Sequence, residues 1–316
     1  MSNPQISVII CTYNRSQTLK NVLEDLIEQE FREDKFSWEI VIVDNNSTDD
    51  TVELVKSYET LGQITIRYEF EPRQGKSFAL NHGIRHSRGE LLVFTDDDVR
   101  LDAAWLSSVY KAFKEHSHNC FGGRVIPILD GVLPDWLADN GPYAIPGGPI
   151  VKHDGGEVAK EYDRNMHFPV GSNMFLRKQV FEKYGYFSKE LGYYDNNTLI
   201  YGEDSELMYR MQSQGEAILY YPQALVYHPI SAARLTKSYF KKFFWGTGRG
   251  NARWARIPEQ SVLYCNVPRF IIKETTKTFM RLLLAMLSHN KYKRFFFELH
   301  FIHGLGKIYE FYISGE

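Results

Sequence analysis

The sequence predicts an α/β fold whose central sheet is mostly parallel. Four short apolar runs alternate with segments in which apolar residues recur at helical spacing, and runs of this length are typical of buried strands. Alternating strands and helices favour parallel pairing with right-handed crossovers between neighbouring strands. The four runs are ISVIIC (6–11), WEIVIVD (38–44), ITIRYEF (64–70) and ELLVF (90–94).

Helix signals lie between these runs. The first connecting segment repeats apolar residues at helical spacing from Leu19 to Ile27, and Ser16 stands where an N-cap is expected. The second segment begins with Ser47 three residues before Asp50, an arrangement close to a capping box. The third, GKSFALNHGIRHS (75–87), is also predicted to be helical.

The second half of the chain differs in composition. Half of the 12 prolines lie between Pro127 and Pro169, and a long irregular segment is typical of a functional lid or of disorder. Because Trp136 and Tyr143 have the character of buried residues, we expect an ordered loop beside the site. The run AILYYPQALVYHP (217–229) is predicted to form paired strands that close the sheet. Helical periodicity returns from Lys237 onward.

Composition and charge limit the class of protein. Apolar residues make up 43% of the 316 residues and the net charge is -2. From Arg234 onward there are 15 Lys and Arg against 5 Glu, whereas the preceding residues hold 22 basic and 34 acidic side chains, which indicates two surfaces with different partners. The three cysteines fit neither a disulfide framework nor a zinc motif, and no signal peptide or membrane span is recognisable. We therefore expect a cytoplasmic protein, soluble or bound at the inner face of the cell membrane.

Polar clusters follow three of the predicted strands. Thr12 to Arg15 follow the first strand, Asp44 to Asn46 the second, and Asp96 to Asp98 the fourth. Parallel sheets bind ligands outside the carboxyl ends of their strands. If these strands are neighbours, the three clusters meet at one edge, so the topology predicts a binding site there.

The aspartate triplet is the most unusual of these clusters. Like charges at the end of a buried strand repel each other and are costly to desolvate. One explanation is a polar turn that caps a helix beginning near Leu101. The other is a hard divalent cation, because Mg²⁺ or Mn²⁺ takes oxygen ligands and offsets the repulsion. Mg²⁺ commonly combines one or two carboxylates with substrate phosphates, so the second explanation implies a ligand that carries phosphate.

Four motifs taken together resemble a known family. SVIICTYNR (7–15), EIVIVDNNSTDDT (39–51), GKSFALNHGIRHSRGELLVFTDDD (75–98) and GEDSEL (202–207), in this order, resemble the family 2 glycosyltransferases, which have the GT-A fold. The resemblance implies a GT-A catalytic domain over residues 1–233. A nucleotide-binding half (1–105) and an acceptor-side half (106–233) would form it, and a basic, aromatic-rich helical region (234–316) would follow.

The resemblance implies a nucleotide pocket at the first two strand ends. Thr12, Asn14 and Arg15 would line this pocket, and Asp44 would accept a hydrogen bond from the base, usually uracil. The alternative for Asp44 is a cap on the helix that begins near Ser47.

In the Asp-x-Asp motif, the resemblance places Asp96 near the ribose and gives Asp98 the metal, Mn²⁺ or Mg²⁺, on the diphosphate. Asp97 has no implied chemistry, and we expect it to be an outward-facing turn carboxylate. Lys76 matches a basic position near the donor, although it could equally be a solvated surface charge. Asn81 and Gly83 belong to the same block.

The second acidic centre is YGEDSEL (201–207). In the family, the aspartate of the Glu-Asp pair is the general base, which here is Asp204, with Glu203 beside it on the sugar side. A carboxylate can remove the proton of a sugar hydroxyl as it attacks, and direct displacement inverts the anomeric carbon. The alternative is that these acids only complement a helix dipole.

The segment VGSNMFLRK resembles the family's acceptor side. This resemblance would place Gly171, Ser172 and Asn173 near the donor sugar.

Two further features are open to more than one interpretation. His228 follows the last predicted strand, where some GT-A enzymes have a metal-binding histidine, but a lone histidine there is more often a structural hydrogen-bonding group. GNARW (250–254) resembles the Gln-x-x-Arg-Trp motif of processive synthases. Because Gly250 replaces the glutamine and no spanning helices follow, we expect transfer of a single sugar.

The C-terminal region mixes basic and large apolar residues at spacings compatible with amphipathic helices. Such helices can lie in an anionic membrane interface, which would make the protein peripheral to the membrane. A helical cap or an oligomer contact explains the pattern equally well. No nucleic-acid binding motif accompanies the charge, so we expect no nucleic-acid partner.

The sequence therefore predicts an inverting, metal-dependent glycosyltransferase that moves one sugar from a nucleotide-sugar, expected to be a UDP-sugar. Its acceptor would be a saccharide or a lipid-linked molecule, as in polysaccharide or glycoconjugate biosynthesis. A sugar-phosphate nucleotidylyltransferase is an alternative, but it would need a glycine-rich loop after the first strand, and CTYNRSQT has no glycine. A catalytically silent, membrane-docking scaffold is the other alternative.

Overall fold

The computed structural model describes residues 3–31, 35–138, 140–145, 148–163, 168–195 and 198–314. The chain divides into two units. The first consists of Met1–Ile128, His153–Lys189 and Glu203–Pro229, and the second of Leu129–Lys152, Glu190–Gly202 and Ile230–Glu316. Within the described ranges, no helix combines the length and the apolar character that crossing a membrane requires.

Strands and helices alternate through the N-terminal part of the chain. The strands are β1 (Ile6–Thr12), β2 (Trp38–Asp44), β3 (Thr65–Phe70), β4 (Leu91–Asp96), β5 (Arg100–Leu101), β6 (Cys120–Leu129), β7 (Lys160–Glu161), β8 (Met174–Arg177), β9 (Tyr193–Asp195), β10 (Thr198–Ile200), β11 (Ile218–Ile230), β12 (Leu263–Tyr264) and β13 (Val267–Pro268). The helices are α1 (Ser16–Ile27), α2 (Thr51–Leu61), α3 (Lys76–His86), α4 (Trp105–Glu115), α5 (Gln179–Tyr184), α6 (Glu203–Gln212), α7 (Lys237–Trp254), α8 (Arg269–Met286) and α9 (Lys291–Ile313).

The first unit is built on a nine-stranded sheet with the order β3-β2-β1-β4-β8-β6-β11-β5, and β7 pairs with β11. Strands β1 to β4 are parallel neighbours, whereas β8 runs antiparallel to both β4 and β6. The predicted α/β fold with a mostly parallel central sheet is confirmed. The segment predicted as paired strands is instead the single 13-residue strand β11.

Part of the core of the first unit lies between α3 and the parallel strands. Ile9 and Val43 are fully buried there, and Gly83 of α3 lies directly over them. A Cβ atom added at Gly83 would be 2.7 Å from Ile9 Cγ2 and 3.0 Å from Val43 Cγ2. The absence of a side chain at this position therefore lets α3, which begins at Lys76, pack closely on β1 and β2.

The second unit is mainly helical, and α7 packs against α9. A Cβ atom added at Gly248 would be 2.2 Å from the His303 carbonyl oxygen, so this crossing requires glycine. Glu310 is buried at the same interface and accepts hydrogen bonds at 2.6 Å from both Arg249 Nε and Arg253 Nε. Two arginines offset one buried carboxylate, which accounts for part of the basic charge in this region.

The described part of the proline-rich segment packs on aromatic rings of the second unit. The ring of Trp136 contacts Phe240 and Phe295, with centroids 5.3 and 4.8 Å away. Tyr143 lies 5.9 Å from Phe296 in an edge-on arrangement. The expectation of ordered packing for Trp136 and Tyr143 is therefore met, and the rings that hold them belong to α7 and α9.

Candidate active site

The ends of three parallel strands bring the polar clusters together. In the sheet register, Thr12 of β1 pairs with Asp44 of β2, and Cys11 of β1 pairs with Asp96 of β4. The loops that follow these strands therefore begin side by side at one edge of the sheet. This convergence is the arrangement that the topology predicted.

Lys76 links the first acidic centre to the second. Its Nζ lies 2.7 Å from Asp96 Oδ1 and 3.9 Å from Glu203 Oε1. Burial alone would lower the pKa of Lys76, but attraction to Asp96 and Glu203 raises it well above its usual range. The same ion pair outweighs the effect of burial on Asp96 and lowers the pKa of that carboxyl. Lys76 is therefore a fixed cation inside the site rather than a solvated surface charge.

Arg15 holds the other two members of the triplet. Its Nη1 donates to Asp97 Oδ1 at 2.9 Å and to Asp98 Oδ2 at 3.0 Å. The expectation that Asp97 is an outward-facing turn carboxylate is wrong, because this residue is only 4% exposed. Burial raises the pKa of Asp97 to about 6, against the attraction of Arg15. Asp97 faces inward because it anchors the guanidinium that also contacts Asp98.

Asp96, Asp98 and His228 form a group that could hold a metal ion. One donor atom from each of the three lies within 4.8 Å of the others, and His228 Nε2 is 3.8 Å from Asp98 Oδ1. Strand pairing explains the approach, because Tyr227 of β11 pairs with Arg100 of β5, just after the triplet.

The orientation of the His228 ring suits a metal ligand. The residue is 2% exposed, and its Nδ1 lies 3.2 Å from the Pro229 carbonyl oxygen. When Nδ1 carries the proton, it donates to that carbonyl and leaves the Nε2 lone pair on the side of Asp98. Two carboxylates and one imidazole are a suitable donor set for a divalent cation.

The second acidic centre lies in the first turn of α6. Asp204 Oδ2 accepts a hydrogen bond from the backbone N–H of Gly171 at 3.0 Å, and Oδ1 accepts from the N–H of Ser205 at 2.7 Å. A Cβ atom at Gly171 would be 3.5 Å from Lys76 Nζ and 3.7 Å from Asp204 Oδ2. Gly171, Lys76 and Asp204 therefore surround one small space.

Glu203, like Asp97, is a carboxyl of the site whose pKa is raised by burial. Burial raises its pKa to about 7, repulsion from Asp204 adds to this shift, and attraction to Lys76 opposes it. Near neutral pH, Glu203 can therefore be either neutral or charged, whereas both carboxylate oxygens of Asp204 accept hydrogen bonds from backbone N–H groups. Two adjacent acids with different environments are typical of sites that handle protons.

Some predicted site residues are occupied by structural hydrogen bonds. Asp44 accepts from the Ser47 N–H at 2.8 Å and from the Tyr68 hydroxyl at 2.7 Å, so it does cap the turn before α2. The side chain of Asn14, which has a φ of 52°, accepts from the Thr48 N–H at 2.7 Å. These contacts tie the loop after β1 to the loop after β2.

In the segment predicted to lie on the acceptor side, Asn173 is fully buried and makes three side-chain hydrogen bonds. It accepts from Trp105 Nε1 at 3.0 Å, and its amide donates to the carbonyl oxygens of Arg124 and Ala224 at 2.9 and 2.8 Å. Ser172 is 2% exposed and its carbonyl accepts from Thr95 Oγ1 at 3.0 Å. Asn81, in the helical block, exchanges two hydrogen bonds with the backbone of Phe187.

Asn45 is a positioning residue that the sequence interpretation missed. Its side-chain oxygen accepts from the Gly75 N–H at 2.8 Å, and its amide donates to the carbonyl oxygens of Glu71 and Arg73 at 3.0 and 2.7 Å. Asn45 thereby holds the loop that precedes Lys76. Its place after Asp44 in a strand-end cluster was the available signal, but its partners lie about thirty residues away.

Comparison with known proteins identifies the family of the chain. Residues 7–185 match the family described as Glycosyl transferase family 2. This match covers more than half of the chain, so the protein belongs to that family.

Individual relatives are more distant. Glycosyltransferase AglE of Haloferax volcanii is 27% identical over 240 residues, which cover 72% of this chain and 67% of that protein. GalNAc(5)-diNAcBac-PP-undecaprenol beta-1,3-glucosyltransferase of Campylobacter jejuni is 30% identical over 125 residues, 39% of each chain. The chain thus spans two thirds of the first relative and a smaller part of the second.

A solved structure has a similar GT-A fold. It is the mannosyltransferase PcManGT of Pyrobaculum calidifontis, solved with GDP-Man and Mn²⁺. The TM-score is 0.55 and the sequence identity is 20%, over 82% of this chain and 67% of that one.

Proposed function

We propose that the protein is an inverting, metal-dependent glycosyltransferase that moves a single sugar from a UDP-sugar to a saccharide or lipid-linked acceptor. The observation that carries this proposal is the position of Lys76, whose Nζ lies 2.7 Å from Asp96 and 3.9 Å from Glu203. Asp96, which belongs to the proposed donor and metal site, and Glu203, which directly precedes the proposed base Asp204, are thereby held in one site. In this proposal residues 1–233 carry catalysis and residues 234–316 serve docking.

The donor would lie along the edge formed by the strand ends. Thr12, Asn14 and Arg15 would line the nucleotide pocket with Asp44, and Asp96 would face the ribose. The hydrogen bonds from Ser47 and Tyr68 hold the Asp44 carboxylate in place, and a carboxylate oxygen can accept more than one hydrogen bond. Asp44 can therefore act both as a cap and as a partner for an N–H of the base.

The donor set of Asp96, Asp98 and His228 fits Mn²⁺ or Mg²⁺. The fit rests on the distances above and on the His228 ring, which turns Nε2 toward Asp98. When bound, the cation would neutralise charge on the departing diphosphate. Arg15 Nη1 contacts both Asp97 and Asp98. Once Asp98 takes the cation, Asp97 would still hold Arg15 beside the metal, where its guanidinium would bind phosphate oxygens.

Asp204 would be the general base, the group that removes the acceptor proton. The N–H groups of Gly171 and Ser205 donate to its two oxygens and fix its orientation. Glu203 would stand on the sugar side, close to the short segment Gly171, Ser172 and Asn173. Proton removal from one side and departure of the diphosphate from the other would invert the anomeric carbon.

Membrane contact is proposed for α8. Its exposed apolar side chains include Met280, Leu283 and Leu284, which are 53%, 40% and 62% exposed, and Leu287, directly after the helix, is 84% exposed. The C-terminal region from Arg234 onward carries a large excess of positive charge, and together these features favour an anionic membrane interface. The Campylobacter jejuni relative, whose name includes PP-undecaprenol, supports a lipid-linked acceptor. On this proposal the protein acts at the cytoplasmic face of the cell membrane.

A donor screen tests the proposed function. The full chain is incubated with UDP-, GDP- and dTDP-sugars, with Mn²⁺ or with a chelator, and release of the nucleoside diphosphate is measured. We expect slow release of UDP from one UDP-sugar, only with the cation. Release of GDP or dTDP instead would overturn the assignment of uracil as the nucleobase of the donor. Release in the presence of the chelator would overturn metal dependence, and no release from any donor would favour the silent scaffold.

A further inference from the structure

A second group of possible metal ligands lies outside the active site. It consists of Glu69 on β3, the edge strand of the sheet, and of His82 and His86 on α3. The two histidines are four residues apart, so they share one face of the helix. Their rings stack with centroids 4.1 Å apart and an interplanar angle of 16°.

Both histidines turn the same nitrogen toward the carboxylate. His82 Nε2 lies 3.4 Å and His86 Nε2 lies 4.0 Å from Glu69 Oε2. The other ring nitrogens face acceptors, since His86 Nδ1 is 2.9 Å from the His82 carbonyl oxygen and His82 Nδ1 is 3.4 Å from Glu71 Oε2. When each Nδ1 carries the proton, each Nε2 keeps its lone pair, and both nitrogens lie on the side of Glu69. Metal-binding histidines are typically oriented in this way.

Ion pairs hold the carboxylates of this cluster in place. Glu69 Oε1 accepts from Arg67 Nη2 at 2.7 Å, which leaves Oε2 toward the histidines. Arg73 binds Glu71 through two hydrogen bonds of 2.7 Å, and these bonds lower the pKa of Glu71 to about 2. Glu39 also lies near Arg67, at 3.7 Å. Three carboxylates thus face two arginines, and the excess negative charge suits a cation.

We propose that Glu69, His82 and His86 form a Zn²⁺ site that ties α3 to the edge strand β3. Two imidazole nitrogens and one carboxylate oxygen are a known zinc donor set that leaves a fourth position for water. All three donor atoms lie within 4.8 Å of one another, so small side-chain rotations would bring them around one ion. The His86 side chain is 43% exposed and the His82 side chain 19%, which gives the ion access from solvent. The site goes beyond the proposed transfer reaction and does not depend on it.

The test is calorimetric titration with Zn²⁺ alone, using the full chain with Asp98→Ala so that the active-site cluster lacks one ligand. We expect one equivalent to bind and the thermal unfolding temperature to rise by several degrees, because an ion that binds only the folded state stabilises it. Adding His86→Ala or Glu69→Gln should weaken binding at least about tenfold and remove the thermal shift.

His300→Ala is the matched control. His300 is also an exposed helical histidine, and its Nδ1 lies 2.8 Å from the carbonyl oxygen of Phe296, four residues earlier. Its loss should leave Zn²⁺ binding unchanged. Failure of Zn²⁺ to bind the Asp98→Ala chain would overturn the proposal, and so would binding that survives both His86→Ala and Glu69→Gln.

Discussion

Arg15 Nη1 lies 3.0 Å from Asp98 Oδ2 and holds that oxygen of the proposed metal-binding carboxylate. The same nitrogen contacts Asp97, so the arginine is anchored whether or not Asp98 remains its partner. Arg15 and Lys76, which pairs with Asp96, together offset part of the negative charge of the triplet when no cation is bound. A divalent ion and Arg15 therefore compete for Asp98, and this competition can be measured.

Replacing Arg15 with Gln should have opposite effects on the two ligands. Mn²⁺ alone should bind a few-fold to about tenfold more tightly, because a nearby positive charge is lost. UDP in the presence of Mn²⁺ should bind more weakly, because the phosphates lose a guanidinium. Calorimetric titrations with each ligand measure both changes, and a shift of both affinities in the same direction would contradict the competition.

Asp98→Ala should weaken metal-dependent UDP binding at least about tenfold, since the cation loses a ligand. UDP binding measured with a chelator should change much less. Glu115→Ala is the control, because that carboxylate belongs to an exposed pair with Lys111 on α4. If the two variants have equal affinity for UDP and Mn²⁺, Asp98 does not hold the metal.

Asp204→Asn should reduce transfer by a factor of roughly 10² to 10⁴, the usual contribution of a general base. The amide keeps the size of the carboxylate but cannot take a proton, so UDP binding with Mn²⁺ should remain near its original value. Glu206→Gln, two residues further along the same helix, is the control; Glu206 pairs with Arg210 at 2.8 Å. Turnover that persists in Asp204→Asn while nucleotide binding is intact would require another base.

Glu203→Gln should stabilise the metal-free protein at high pH. Burial raises the pKa of Glu203 from its ordinary value of 4.5 to about 7, so the folded state holds a proton that the unfolded state loses between these values. Stability therefore falls as the pH rises from about 4.5 to about 7. At pH 8 the neutral variant should be more stable by about 3 kcal/mol, and at pH 5, where the carboxyl of the unfolded state is already mostly ionised, its advantage should be about a quarter as large.

Urea unfolding at both pH values, with a chelator present, measures this difference. The exposed Glu115→Gln serves as the control for a carboxylate outside the site. An advantage of Glu203→Gln that is equally large at pH 5 and pH 8 would show that ionisation of Glu203 carries no folding cost.

Much of the site was predictable because it follows from strand order. Runs such as Ile6 to Cys11 identify parallel strands, and parallel strands place the residues after them at one edge. The triplet, Arg15 and Asp44 could be assembled on this basis without any pairwise contact. His228 was harder to assign, since its approach to Asp98 depends on the pairing of β5 with β11, which involves two residues of β5 and no recognisable pattern.

The orientation of individual side chains was not predictable. Asp96, Asp97 and Asp98 are adjacent and chemically identical in the sequence, yet Lys76 holds the first and Arg15 the other two. No pattern in the neighbouring sequence indicates that the Asp97 side chain faces inward. Its burial depends on a cation 82 residues earlier in the chain, and long-range ion pairs of this kind leave no periodic signal.

The apolar face of α8 yields a prediction about membranes. If it lies in the interface, the double variant Leu284→Glu and Leu287→Glu should lose most binding to vesicles that contain an anionic lipid, because two charges would replace apolar contact area. Binding of the original chain should weaken as salt increases, since the surrounding lysines and arginines contribute. Leu61→Glu is a matched control, because Leu61 on α2 is 60% exposed, compared with 62% for Leu284. Co-sedimentation with vesicles of anionic and of neutral lipid measures all three chains. Equal binding by the double variant and the original chain would mean that α8 packs against protein instead.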